Sequence, residues 1–95
     1  MTPRPEQPYP DSQAAAFWQP DVIESFNDLC QSEGLNPVRL RRLIDRYITT
    51  RQKPSRQELI DALKQRPRIQ ERAMVLGSIT KKLHVFTETF VDRLN

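Results

Sequence analysis

"EGLNPVRLRRLIDRYITT", residues Glu33 to Thr50, holds a helix stop, a helix start and a row of arginines. Gly34 can end a helix cheaply, because glycine enters the left-handed conformation without a Cβ penalty. Asn36 and Pro37 open another helix. Asparagine accepts from the free N–H groups of a first turn, and proline has no N–H to leave unpaired there. The stretch Gly34-Leu35-Asn36-Pro37 therefore reads as a tight corner between two helices, with Leu35 tucked into the core. Beyond it, Leu40, Leu43, Ile44, Tyr47 and Ile48 recur at spacings of three and four, which is an apolar helix face. Arg39, Arg42 and Arg46 fall on the opposite side at the same spacings.

Working upstream, Val22, Phe26, Leu29 and Cys30 share one face of a helix that begins at Pro20 or Asp21 and runs to about Glu33. Asp21 and Glu24 lie in its first turn, where carboxylates suit the helix dipole. Before it, "MTPRPEQPYPDSQAAA" carries Pro3, Pro5, Pro8 and Pro10. Proline fixes φ and pushes the preceding residue out of the helical region, so residues 1–16 read as a flexible leader. Phe17 and Trp18 close it, and at least one of these adjacent aromatics is expected to pack on the helices.

Working downstream, the arginine helix should end between Thr50 and Lys53, ahead of Pro54. Ser55-Arg56-Gln57-Glu58 matches the capping box, in which each end of a first turn bonds the other's free N–H. A short helix from Arg56 to about Lys64 follows, with Leu59, Ile60 and Leu63 inward. Pro67 interrupts the pattern, although "KQRPRIQERAMVLG" still reads as mostly helical. In the last and longest helix Ile69, Leu76, Leu83 and Phe90 recur every seven residues, with Ile79 and Phe86 on the same face. That seam suits packing against long partner helices. Gly77 costs up to about 1 kcal/mol there against alanine, unless it admits a close approach or marks a kink. No strand pattern or internal repeat is evident. The expected fold is all-α, four helices over residues 17–95 behind the Pro-rich leader.

The bulk numbers agree with one small domain. The chain has 95 residues, 37% of them hydrophobic, and a mean hydropathy of −0.69, low for a self-contained globule. A single cysteine excludes an internal disulfide. No stretch approaches the roughly 18 apolar residues of a membrane span, so a cytoplasmic setting without membrane contact is expected. The net charge of +3 hides an asymmetry: residues 1–38 hold one basic residue against six acidic, and residues 39–72 hold eleven against four. A basic middle of this kind suits phosphate, an acidic protein face, or the chain's own acidic front.

Chemistry is sparse. With two glycines there is no phosphate-binding loop. Cys30 and His84 are each the only residue of their kind and make no metal set. Cys30 lies on the core side of its helix and reads as a small hydrophobe. His84 reads as a surface or half-buried helix residue. Glu58 with Asp61, and Glu88 with Asp92, are helix-spaced carboxylates near cations, hence ion pairs. No catalytic, cofactor or metal residue is assigned, and the chain is not expected to be an enzyme by itself. The arginines remain. Arg39, Arg41, Arg42 and Arg46 lie on the exposed side of one helix, and Arg51, Lys53 and Arg56 lie just beyond it. Three readings stand: a solvated polar face, a protein-docking face, or contact with a DNA backbone, which needs only charge. Base readout is disfavoured, because the helix itself carries no Asn or Gln among its arginines. The candidate partner-binding set is Arg39, Arg42, Arg46, Arg51, Lys53 and Arg56.

The order of pieces carries a resemblance over about residues 22–94. Glu33, Leu35 and Pro37 stand at the corner, Arg42, Leu43 and Ile44 on the next helix, and "ELIDAL" on the capped one. Ile79, Lys81, Lys82, Leu83, Phe86 and Phe90 lie in the closing "SITKKLHVFTETFVDRL". Together they resemble the C-terminal helical domain of the R (motor and endonuclease) subunit of type I restriction-modification enzymes. The resemblance implies an assembly role, docking the motor subunit, with its parent motor domains, on the methyltransferase and specificity core. Translocation and cleavage would belong to other domains. Two alternatives stay open: a free-standing small basic DNA-binding or anti-restriction protein, and a helical partner of a large bacterial ATPase.

Overall fold

The computed structural model describes residues 15–94. Most of the expected leader, residues 1–14, lies outside the described residues. Ala15 and Ala16, which the sequence reading assigned to the leader, are helical and run straight into Phe17. Both aromatics then pack: Phe17 and Trp18 are buried.

Helix α1 spans Pro20–Glu33, with Pro20 in its first turn. It stops at Gly34, whose φ of 66° is the left-handed conformation. The Leu35 N–H closes the turn onto the Cys30 carbonyl at 2.8 Å. Helix α2 spans Pro37–Thr50, and the Asn36 side chain accepts from the N–H groups of Val38 and Arg39 at 3.0 and 3.2 Å. Helix α3 spans Arg56–Asp61 and starts with both halves of the capping box in place. Helix α4 spans Arg72–Thr89, between short 3-10 turns at Ile69–Glu71 and Val91–Arg93.

Two expectations from the sequence need correction. Helix α3 ends at Asp61, short of Lys64. The backbone beyond it is recruited elsewhere: the Asn36 N–H donates to the Ala62 carbonyl at 2.7 Å, and the Lys64 N–H donates to the Gly34 carbonyl at 2.9 Å. Leu35 and Leu63 thereby form an isolated antiparallel bridge, and a strand-like pair cannot also keep helical register. The second correction concerns Ile69. It is 79% exposed and lies outside α4, so it does not begin the heptad seam. Ile69 instead opens the 3-10 turn Ile69–Glu71, whose tighter winding takes it off the α4 stripe. Arg68 is extended, with φ −64° and ψ 153°. Gly77 neither stops α4 nor admits a neighbour, since an added Cβ there would meet nothing within 4 Å.

The core is one cluster. Phe17, Val22, Leu35, Leu40, Ile48 and Ile79 are sealed from water at its centre. Phe86 of α4 meets Phe17 at 6.0 Å, Phe26 at 6.3 Å and Phe90 at 5.5 Å between ring centroids. Trp18 meets Phe17 and Phe26 edge-on, each at 5.0 Å. Leu83, at the seam position between Leu76 and Phe90, is only half-buried. Polar contacts tie the ends together. Ser78 Oγ donates to Glu33 Oε1 at 2.8 Å, with Lys82 Nζ 4.0 Å from the other oxygen. Glu33 and Lys82, both part of the resemblance, thus pin the end of α1 to α4. Arg93 pairs with Asp21 at the opposite end of α1.

Candidate docking surface at the first corner

The arginines divide into those held by the fold and those offered to solvent. Arg46 is held. Its two terminal nitrogens donate to both oxygens of Glu58, each at 2.7 Å, and the pair joins α2 to α3. Helical spacing had put Arg46 on the outward row; the bidentate geometry that arginine makes with carboxylate draws it to α3 instead. Arg51 is held as well. It ends α2 in the left-handed conformation at φ 62°, and its guanidinium donates to the Leu94 carbonyl at 2.8 Å. It also lies 6.0 Å from the Tyr47 ring. Of the expected set, Arg39, Arg42, Lys53 and Arg56 are exposed, and so is Arg51 despite its bond to the Leu94 carbonyl. Arg39 points along the corner, its Nη1 3.5 Å from the Asp61 carbonyl. Arg42 makes no ion pair among the described residues.

The Arg46–Glu58 pair has a measurable signature. The Glu58 carboxyl is pulled from its ordinary 4.5 to about 2, first by the Arg46 guanidinium and then by the Ser55 backbone N–H. Hydrogen bonding to Glu58 in turn raises the Arg46 pKa. Between those two values the unfolded chain binds the proton and the folded chain does not. The contribution of Glu58 is therefore complete above about pH 4.5 and is lost as pH falls toward about 2. Glu58→Gln is expected to flatten that acid limb in denaturant titrations run across the window, while an unchanged limb would mean the pair is open in solution.

Trp18, Ile23 and Val38 escaped the sequence reading as site residues. Trp18 was expected to pack, and it also shapes a surface. Its Nε1–H donates to Asp45 Oδ1 at 2.7 Å. The Arg41 guanidinium lies 4.3 Å above its ring, and Arg41 reaches Asp45 at 4.0 Å. The indole is thus fixed by an acceptor, a cation on one face and two aromatic edges. Beside it α1 and α2 diverge into a cleft of about 380 Å³, lined by Trp18, Ile23, Phe26, Val38, Arg41 and Arg42 among others. Val38 is 65% and Ile23 38% exposed. The only sequence signal was an apolar residue, Val38, among the outward arginines of α2.

Electrostatics across the cleft are one-sided. The α2 wall carries Arg41 and Arg42. The α1 wall is neutral at Ile23 and Asn27 and turns acidic beyond them, where Asp21, Glu24 and Asp28 line the neighbouring hollow. Elsewhere, His84 is exposed and Cys30 is buried. Among the described residues no group of three or more His, Cys, Asp or Glu is placed to hold a metal ion, and no helix is long and apolar enough to cross a membrane. Comparison with family models, with curated proteins and with solved structures finds no match to this chain.

Proposed function

We propose that this chain is a non-catalytic docking domain, of the kind that closes the R subunit of type I restriction endonucleases, and that it binds the methyltransferase and specificity core in the cytoplasm. The observation that supports this reading is the corner itself. A left-handed glycine, an asparagine cap and two backbone bonds to residues 62 and 64 hold α1 and α2 at a set angle. That angle presents exposed Val38 and Ile23 beside Arg39, Arg41 and Arg42. A rigid apolar patch rimmed by guanidinium groups matches the composition of protein interfaces, where aromatics and arginine are enriched. Preorganisation also lowers the ordering cost of association.

The test is a titration of the chain into the purified methyltransferase and specificity core. A stoichiometric complex is expected, with affinity that falls only modestly between low and physiological salt. The chain alone is expected to hydrolyse no ATP and cut no DNA. A chain that ignored the core but bound duplex DNA, with affinity falling steeply and log-linearly in salt, would favour the phosphate-binding alternative.

A further inference from the structure

We infer that the cleft between α1 and α2 takes an amphipathic protein segment that seats an apolar side chain against Trp18, Ile23 and Val38 and lays its acidic edge along Arg41 and Arg42. The inference deepens the docking reading and rests on it for the segment's source.

Three observations converge on that occupant. The cleft has about 380 Å³ and an apolar floor, which is the volume range of pockets that hold ligand groups. Trp18, 7% exposed beneath Arg41, is the fixed base of the cleft, and the apolar surface open to an anchor is chiefly that of Ile23 and Val38. The charge of the cleft is polarised. Arg42 is exposed and makes no ion pair among the described residues, and Arg41, although near Asp45, keeps a side chain 47% exposed. The α1 side beyond Asn27 offers Glu24 and Asp28 instead. A segment with carboxylates on one edge fits in one orientation and is repelled in the other, which sets direction as well as affinity. A basic segment would face Arg41 and Arg42 and is disfavoured.

The experiment uses the single tryptophan of the chain. Its indole N–H gives one resonance in the ¹⁵N-labelled protein. Two amphipathic helical peptides with the same leucine face are titrated, one flanked by glutamates and one by lysines, and a duplex DNA serves as a third probe. The glutamate peptide is expected to shift the Trp18 indole and the Ile23 and Val38 methyl signals, and to bind at least about tenfold more tightly than the lysine peptide. Val38→Asp and Arg42→Glu, both at exposed positions, should each remove most of that binding while circular dichroism stays unchanged. Equal binding of the two peptides, shifts that map away from the cleft, or an indole shift caused by DNA and lost in Arg42→Glu would overturn the inference. The same variants are tested on the methyltransferase and specificity core. A core that binds wild type and both variants equally leaves docking intact and rejects the cleft. A core that binds none of them, beside a glutamate peptide that binds wild type, rejects the restriction-subunit reading and retains the cleft.

Discussion

Phe86→Ala is expected to cost about 3–5 kcal/mol, the range for removing a buried phenyl ring. The side chain is 5% exposed and touches three other rings drawn from different parts of the chain: Phe17 before α1, Phe26 within it, and Phe90 at the end of α4. A small domain holds only about 5–15 kcal/mol in total, and one this short lies toward the lower end. Much of that total would go. Urea titration followed by helical circular dichroism checks this, with Met74→Ala as the control. Met74 is on the same helix but 74% exposed, and exposed substitutions usually stay within about 0.5 kcal/mol. Similar losses for the two variants would mean that the buried face of α4 is assigned wrongly.

Leu35→Ala comes second, at about 2–5 kcal/mol. Leu35 is sealed from water, and its neighbours in sequence make the backbone bonds to Ala62 and Lys64. The leucine is thus the apolar anchor of a polar clasp. Without it, water reaches the hydrogen bonds that join the α1–α2 corner to the end of α3. Hydrogen exchange reads this separately from global stability. Protection at the Asn36 and Lys64 amides should fall more than protection inside α4. Uniform loss across the molecule would show that the clasp only follows the global fold.

The parts of this architecture that were legible in the sequence are the ones set by neighbours in the chain. The left-handed stop at Gly34, the Asn36 cap, Pro37 in the first turn and the Ser55–Glu58 capping box are all local devices, and α1 ends and α2 and α3 begin where they say. What could not be read is non-local. Helix α3 stops early because Ala62 and Lys64 bond residues about a third of the chain away. Arg46 has the spacing of a solvent-facing residue, and nothing local announces that Glu58 on the next helix will claim it. The seven-residue recurrence was a real pattern in α4 but was begun one repeat too early, at Ile69 in the 3-10 turn that precedes the helix. For the candidate site, Arg39 and Arg42 were found from helical spacing. The cleft was not, because it depends on Trp18 arriving beside α2 from outside the helical repeat.

Cys30 turns the fold into a stopwatch. The residue is 4% exposed, and burial pushes its thiol pKa up to about 11. At neutral pH it is therefore both covered and protonated, whereas alkylating reagents need an accessible thiolate. Reaction must wait for an opening of the core that uncovers Cys30, so the labelling rate counts those openings. A bound partner that bridges α1 and α2 would slow the clock without touching the sulfur, which makes one cysteine a reporter of assembly as well as of breathing.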